Sequence, residues 1–284
     1  MSSTVLERRF EQRLTELSAM WRGVSAPPLA LATAAVTWAV ESDQDLTSIP
    51  AQLDALADEL RQRAILAGAR QPPSIEALAA GFAALGFRGN EENYYDLRNS
   101  LLGEVIARRV GIPITLSVVF IELARRFGLT CEGVNFPGHF LIRYRGADGV
   151  VYLDPFRGGK RLDDSGLRRL LRSVRGADAE LTAEDLEAAG TRAITLRMLR
   201  NLYGIAVNAK DWSLALRAMR MLFAVNPDDA RVRGDIGLLY LRLAQWGEAL
   251  TWLEEQKRRA TSDAERQALE LRIVEAKAAL ARWN

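Results

Sequence analysis

The sequence predicts an α+β, helix-rich fold with one small antiparallel sheet, followed by an α-solenoid of stacked helical hairpins. Three observations carry this. Apolar residues recur with a period near 3.6 over most of the first 127 positions. The period drops to 2 between about 130 and 154. The last third repeats itself at a shift of 34 residues. A chain of 284 residues is long enough for two domains. The expected division is an N-terminal helical part of the first domain over 1–90, its core over 91–190, and helical repeats with a capping helix over 191–284.

In the first part, Phe10, Leu14, Leu17 and Trp21 are spaced four, three and four residues apart, as one helix face requires. Leu53, Leu56 and Leu60 repeat the rhythm, and Ile75, Leu78, Phe82 and Leu85 do so again. Pro27-Pro28 and Pro72-Pro73 punctuate these segments, and Ser74 is placed to cap the helix that follows. A helix over about 98–110 carries Leu101, Leu102, Val105 and Ile106 and is expected to end at Gly111 and Pro113. Another, over about 115–127, buries Leu116, Val119, Phe120, Leu123 and Phe127 and stops at Gly128.

Three strands follow, over 130–136, 139–144 and 150–153, with turns at Pro137-Gly138 and at Gly146-Ala147-Asp148-Gly149. Gly158-Gly159 reads as a loop. Gly158-Gly159-Lys160 lacks the spacing and the strand–helix setting of a phosphate loop. In the last third the 34-residue shift superposes Trp212 on Trp246, Ala215 on Ala249, Met219 on Leu253 and Leu202 on Ile236, and Asn226-Pro227 closes the first unit. That period and closing proline are the signature of tetratricopeptide repeats, which present a concave binding surface. Two repeats bury little by themselves, so a neighbour must cover them. Ser262-Asp263-Ala264-Glu265 opens the final helix as a capping box.

Composition removes several classes of function. Lys+Arg is 38 against Asp+Glu 36, a balance that argues against a dedicated nucleic-acid binder. The most apolar stretch, residues 28–40, is too short for a membrane span. The first ten residues become charged before a signal-peptide core can form, so a cytoplasmic protein is expected. One cysteine, Cys131, and one histidine, His139, exclude an intrachain disulfide and any zinc site built from several such ligands. No cofactor or metal is expected. Any histidine chemistry must use His139.

Hairpin geometry brings that histidine a partner. Residues alternate faces along a strand, and an even-length loop keeps His139 and Asp154 on one face. A two-residue turn at 148–149 would set Asp154 opposite Arg143. The expected four-residue loop sets it opposite Leu141 and diagonal to His139. An imidazole beside a carboxylate is the orienting half of a catalytic triad, and also a common structural hydrogen bond.

The runs Asn93-Tyr94-Tyr95-Asp96-Leu97-Arg98-Asn99-Ser100, Arg109-Val110-Gly111-Ile112-Pro113-Ile114-Thr115-Leu116-Ser117, Pro137-Gly138-His139-Phe140-Leu141 and Asp154-Pro155-Phe156, in this order, resemble the bacterial SirB-type family. Its members join a transglutaminase-like domain to tetratricopeptide repeats. The resemblance implies a papain-like core, with a central helix on an antiparallel sheet, and it carries the superfamily's histidine and aspartate onto His139 and Asp154. The superfamily's cysteine stands at the start of the helix before the histidine strand, where this chain has Thr115 or a near neighbour.

Thr115 therefore has two readings, as a helix cap or as a weak nucleophile completing a triad-equivalent set with His139 and Asp154. Cys131 has two as well, core residue or displaced thiol. The helix N-terminus would favour anions or carbonyl oxygens, with Asn93, Asp96, Asn99 and Arg143 as candidate binding residues around it. The overall expectation is a non-catalytic, degenerate transglutaminase-like scaffold that binds a protein or peptide through its repeats, with a possible small ligand in the cleft near His139. The alternative is an acyl-transfer or amide-hydrolysing enzyme using the His139–Asp154 pair.

Overall fold

The structure is a computed structural model that describes residues 3–23, 25–63, 73–147 and 149–283. Pro72 and Asp148, cited above as punctuation and turn residues, lie outside them. The helices in chain order are α1 (Ser3–Trp21), α2 (Leu29–Ala34), α3 (Ser48–Gln62), α4 (Ile75–Ala84), α5 (Leu102–Arg108), α6 (Pro113–Arg126), α7 (Asp164–Arg175), α8 (Thr191–Asn208), α9 (Trp212–Val225), α10 (Ala230–Arg242), α11 (Trp246–Arg259) and α12 (Asp263–Trp283). The strands are β1 (Arg88–Gly89), β2 (Val110–Gly111), β3 (Cys131–Val134), β4 (Leu141–Gly146), β5 (Gly149–Asp154), β6 (Lys160–Leu162) and β7 (Ala188–Ala189). The short pair β1–β2 is parallel, and the main sheet runs β6-β5-β4-β3-β7 with every neighbour antiparallel. Among the described residues, no helix is long and apolar enough to cross a membrane.

The chain divides into two compact units, and not at the expected boundaries. One comprises Ser25–Thr37 and Gln44–Met198, the other Met1–Val24, Trp38–Asp43 and Leu199–Asn284. The difference has a physical cause. The apolar stripe of α1, with Phe10, Leu17 and Trp21 all buried, packs along α9 and supplies the cover that the C-terminal helices need. Arg220 of α9 fastens it by a bidentate bond to Glu11, at 2.5 and 2.7 Å, with its guanidinium 5.6 Å from the Phe10 ring. Within this unit the 34-residue shift is legible as geometry. Trp212 and Trp246 open α9 and α11, each of 14 residues, and the superposed pairs Ala215/Ala249 and Leu202/Ile236 are fully buried. Gly237 lies where α10 crosses α11: a Cβ there would come within 2.7 Å of the Leu253 side chain.

The other unit is organised around α6. Eleven of its residues are buried, from Pro113 to Ala124, so it is a helix apolar nearly all round, enclosed by its neighbours. It packs against α2, α3, α5, β3 and β4. One face of the sheet carries Val134 and Leu141 against Leu167 and Leu171 of α7, while Ile142 and Leu153 on the other face are buried as well. Both faces are therefore covered.

Several local expectations are met and others corrected. Ser74 caps α4 by accepting from the Ala77 N–H. Gly128 follows α6 at φ +74°. Residues 97–100 form a 3-10 turn, and α5 begins only at Leu102. The cap of α5 is not Gly111 but Arg109, held at φ 60° because its guanidinium bonds both Glu59, at 2.7 Å, and the Leu85 carbonyl, at 2.6 Å. Gly111 instead pairs in β2, where an added Cβ would meet the Thr115 hydroxyl at 2.9 Å. Four strands went unforeseen, β1, β2, β6 and β7, all too short to show alternation.

Candidate functional site

The β4–β5 hairpin has the register of the expected four-residue alternative. Arg145 pairs with Val150 and Ile142 with Leu153, and the ladder runs one step further to Gly146 and Gly149. His139 itself is not in a strand. It sits in the bend before β4, its N–H donating to the Phe136 carbonyl at 3.0 Å after Gly138 turns the chain at φ 65°. From there Nε2 lies 2.9 Å from Oδ1 of Asp154, with the side chains 11% and 1% exposed.

Asp154 ends β5 and caps the turn Pro155–Arg157, its Oδ1 also accepting from the Phe156 N–H at 3.1 Å. The Phe156 ring meets the imidazole edge-on at 5.9 Å and Tyr94 at 6.2 Å, and Tyr94 meets Tyr95 at 5.4 Å. Tyr95 is 69% exposed, so the aromatic series runs from the histidine to the surface. Burial raises the Tyr94 phenol, with the Arg197 charge opposing it. With Nε2 directed at the carboxylate, the neutral imidazole leaves Nδ1 as the nitrogen able to accept a proton.

Among the described residues, no hydroxyl or thiol hydrogen-bonds to that ring. The start of α6 is Ile112-Pro113-Ile114, all buried. Thr115 is fully buried, donates to the Asn99 carbonyl at 2.8 Å and accepts from the Ile112 N–H at 3.2 Å. It acts as a cap. This also weakens the anticipated anion site at the helix end. Pro113 has no N–H and the Ile112 N–H is already bonded.

Cys131 is equally removed. It pairs with Tyr144 in the β3–β4 ladder, far along β4 from the bend that carries His139. Burial, with the Glu132 charge adding to it, pushes its thiol up to about 12. A protonated, half-buried thiol is a poor nucleophile.

The other candidates do turn and tethering work. Asn93 sits in a turn closed by Asn90, and Asn99 is buried, its amide donating to the Asn93 and Tyr94 carbonyls at 2.8 and 3.2 Å. Asp96 caps the 97–100 turn, held below the usual carboxylate range chiefly by Arg98. Arg143 bonds Glu132 at 2.8 Å and the Leu186 carbonyl at 2.9 Å, linking β4 to β3 and to the turn beyond α7. The hydrogen bonds of these four run to partners other than His139. Among the described residues no group of three or more His, Cys, Asp or Glu side chains is assembled as a metal site would need.

Sequence reasoning missed Arg197. Its guanidinium donates to the His139 carbonyl at 2.7 Å, to the Phe136 carbonyl at 3.3 Å and to Asn135, and lies 5.5 Å from the Phe140 ring. A signal existed: an arginine set between buried Ile194 and Met198 on an apolar helix face needs a buried acceptor.

A buried His–Asp pair beside a sheet and a central helix is the arrangement that comparison with known proteins addresses. The family model described as "Transglutaminase-like superfamily" matches residues 47–200, over half of the chain. The chain belongs to this superfamily. Protein SirB1 of Salmonella typhimurium is 30% identical over 64% of this chain and 68% of its own length, which marks the chain as a SirB-type member. A UPF0162 protein of Xylella fastidiosa is 42% identical over 61% of this chain. Human F-box only protein 21 is 30% identical over 58% of this chain and 27% of its own length. The matched region covers 63% and 59% of the length of the two Xylella relatives. No solved structure matches the chain. Within the transglutaminase-like frame, then, the histidine and aspartate stand together while the start of α6 carries Ile112, Pro113, Ile114 and the capping Thr115.

Proposed function

We propose that this chain is a non-catalytic transglutaminase-like protein whose C-terminal helices are tetratricopeptide repeats that bind a protein or peptide in the cytoplasm. One observation supports the first half above the others. The α6 start is built from Ile112, Pro113 and Ile114, and the nearby Thr115 hydroxyl is spent on the Asn99 carbonyl. An alcohol that already donates inside a sealed core has no path to a substrate carbonyl. The second half is supported by the equal lengths of α9 and α11 and by the burial of the superposed pairs Ala215/Ala249 and Met219/Leu253 at a shift of 34 residues. The related stretch also occurs as about a quarter of the far longer F-box only protein 21, as a reusable module would.

The test has two arms. Purified chain is incubated with a glutamine-containing peptide, with and without an amine acceptor, and products are followed by mass spectrometry. No acyl adduct and no turnover are expected, and turnover abolished by His139→Ala would overturn the reading in favour of an acyl-transfer enzyme. In the second arm, peptides selected by display on the full chain are measured by calorimetry. Saturable binding lost on Leu238→Asp, an exposed position on α10, is expected. Failure to select any binding peptide would refute the scaffold role.

A further inference from the structure

The side of Asp154 that faces α7 carries a site of its own. In the β5–β6 ladder Asp154 pairs with Lys160, so their side chains stand next to one another on one face of the sheet. Gly158 and Gly159, at φ 67° and 78°, make this possible by turning the chain back within five residues of the aspartate. Gly159 donates to the Asp154 carbonyl at 2.9 Å. Between β6 and α7 lies a cleft of about 540 Å³, with Asp154, Arg157, Lys160, Arg161, Ser165 and Arg169 in its wall.

Its charge is unbalanced. Four cations line it against two carboxylates, Asp154 and Asp163, leaving an excess of two positive charges. The carboxylates are already engaged. Asp163 Oδ1 caps α7 through the Gly166 N–H at 2.8 Å and takes the Ser165 hydroxyl at 2.9 Å. Asp154 Oδ1 takes His139 and Phe156. Arg161 has its carboxylate, Glu76, only at 3.8 Å, and the side chains of Lys160 and Arg169 make no hydrogen bond among the described residues. A concave surface with unneutralised cations concentrates anions.

One atom asks for something more than an anion. Oδ2 of Asp154, in a residue 1% exposed, has no hydrogen-bond partner among the described residues, with Arg157 Nε at 3.9 Å its nearest cation. A buried carboxylate oxygen without a donor is costly and rare. We propose that this cleft binds a small phosphomonoester carrying a neighbouring hydroxyl. The phosphate is held by Lys160, Arg161 and Arg169, and the hydroxyl donates to Asp154 Oδ2 as Arg157 swings toward the anion. This site is separate from the closed α6 terminus and stands whether or not the pair on its far side performs chemistry.

The lone histidine makes the test clean, because His139 shares the carboxylate and gives the only imidazole signals of the chain. Full-length ¹⁵N-labelled protein is titrated with glycerol 3-phosphate, with sulfate as an anion lacking a donor, and with a phosphoserine peptide. The expected result is a saturable displacement of the His139 ring resonances by glycerol 3-phosphate, with sulfate binding about tenfold more weakly. The double variant Arg161→Gln/Arg169→Gln, at two exposed positions, weakens binding by about tenfold or more with unchanged thermal unfolding. No saturable displacement, equal response to sulfate, or full retention of binding in the double variant each overturns the proposal. Tighter binding of the phosphoserine peptide would overturn the small-molecule assignment in favour of a phosphopeptide.

Discussion

Arg197 donates from its guanidinium to the backbone carbonyl of His139 at 2.7 Å, 58 residues apart in sequence. The histidine is thus placed by two long-range contacts, one on its ring from Asp154 and one on its main chain from α8. Burial lowers the Arg197 pKa, with Tyr94 opposing the shift, so the charge sits among carbonyl acceptors and not against a carboxylate. Arg197→Met should remove a charge-assisted bond worth about 2 kcal/mol and loosen the 135–140 bend. Arg197→Lys should recover little, because one ammonium cannot reproduce the forked contacts. Urea denaturation measures the first effect and exchange broadening of the His139 ring signals the second. Unbroadened signals in Arg197→Met would count against a positioning role.

Thr115 offers a sharper separation of cap from nucleophile. Thr115→Val keeps the shape but leaves the Asn99 carbonyl and the Ile112 N–H without their partner, which should cost about 1–3 kcal/mol. Thr115→Ser retains the hydroxyl and should lose well under that. Chemical denaturation of the two variants decides it, and equal midpoints for wild type and Thr115→Val would remove the capping argument.

The thiol of Cys131 should be silent until the protein unfolds. Its folded pKa of about 12 lies above the ordinary 9.0, so the folded state favours the neutral thiol. The associated stability is intact below pH 9 and is lost as pH climbs from there toward about 12. Relative to Cys131→Ala, wild-type stability should fall across that window. Reaction with a disulfide reagent at neutral pH should be slow in buffer and fast in guanidinium.

On the acid side the sign reverses at Asp185, a carboxylate 4% exposed. The Thr182 N–H is the main cause of its lowered pKa, joined by the Thr182 hydroxyl and Arg175. Its contribution is present above the ordinary value of 3.8 and is lost as pH falls through the depressed folded value. Asp185→Asn should be less stable than wild type at neutral pH, with the gap closing under strong acid. The same turn presents the Leu186 carbonyl to Arg143, so the variant should also speed amide exchange in β4. A gap that persists in acid would show that the charge is not the cause.

Much of the fold was legible because its signals are local. Ser74, the buried face of α6 and the β4–β5 register follow from spacing and parity alone. What escaped depends on distant partners. Arg109 adopts a left-handed cap with its guanidinium bonded to the Leu85 carbonyl and to Glu59, 50 residues away. β6 and β7 exist through pairing, not through propensity. In the site, His139 and Asp154 could be joined by counting along a hairpin. Arg197 could be read as needing a buried acceptor but not joined to its partners, which lie about 60 residues away and include two backbone carbonyls with no sequence signature.

Helix α1 completes a body whose remaining helices follow it in the chain only after the other unit. Glu11 and Arg220 are 209 residues apart, so on the ribosome α1 must wait, apolar stripe uncovered, until α9 emerges. Expression fragments cut near residue 191 would strip α9 of its companion and should precipitate, whereas a circular permutant that joins α1 directly to α12 would turn a late, long-range closure into an early and nearby one.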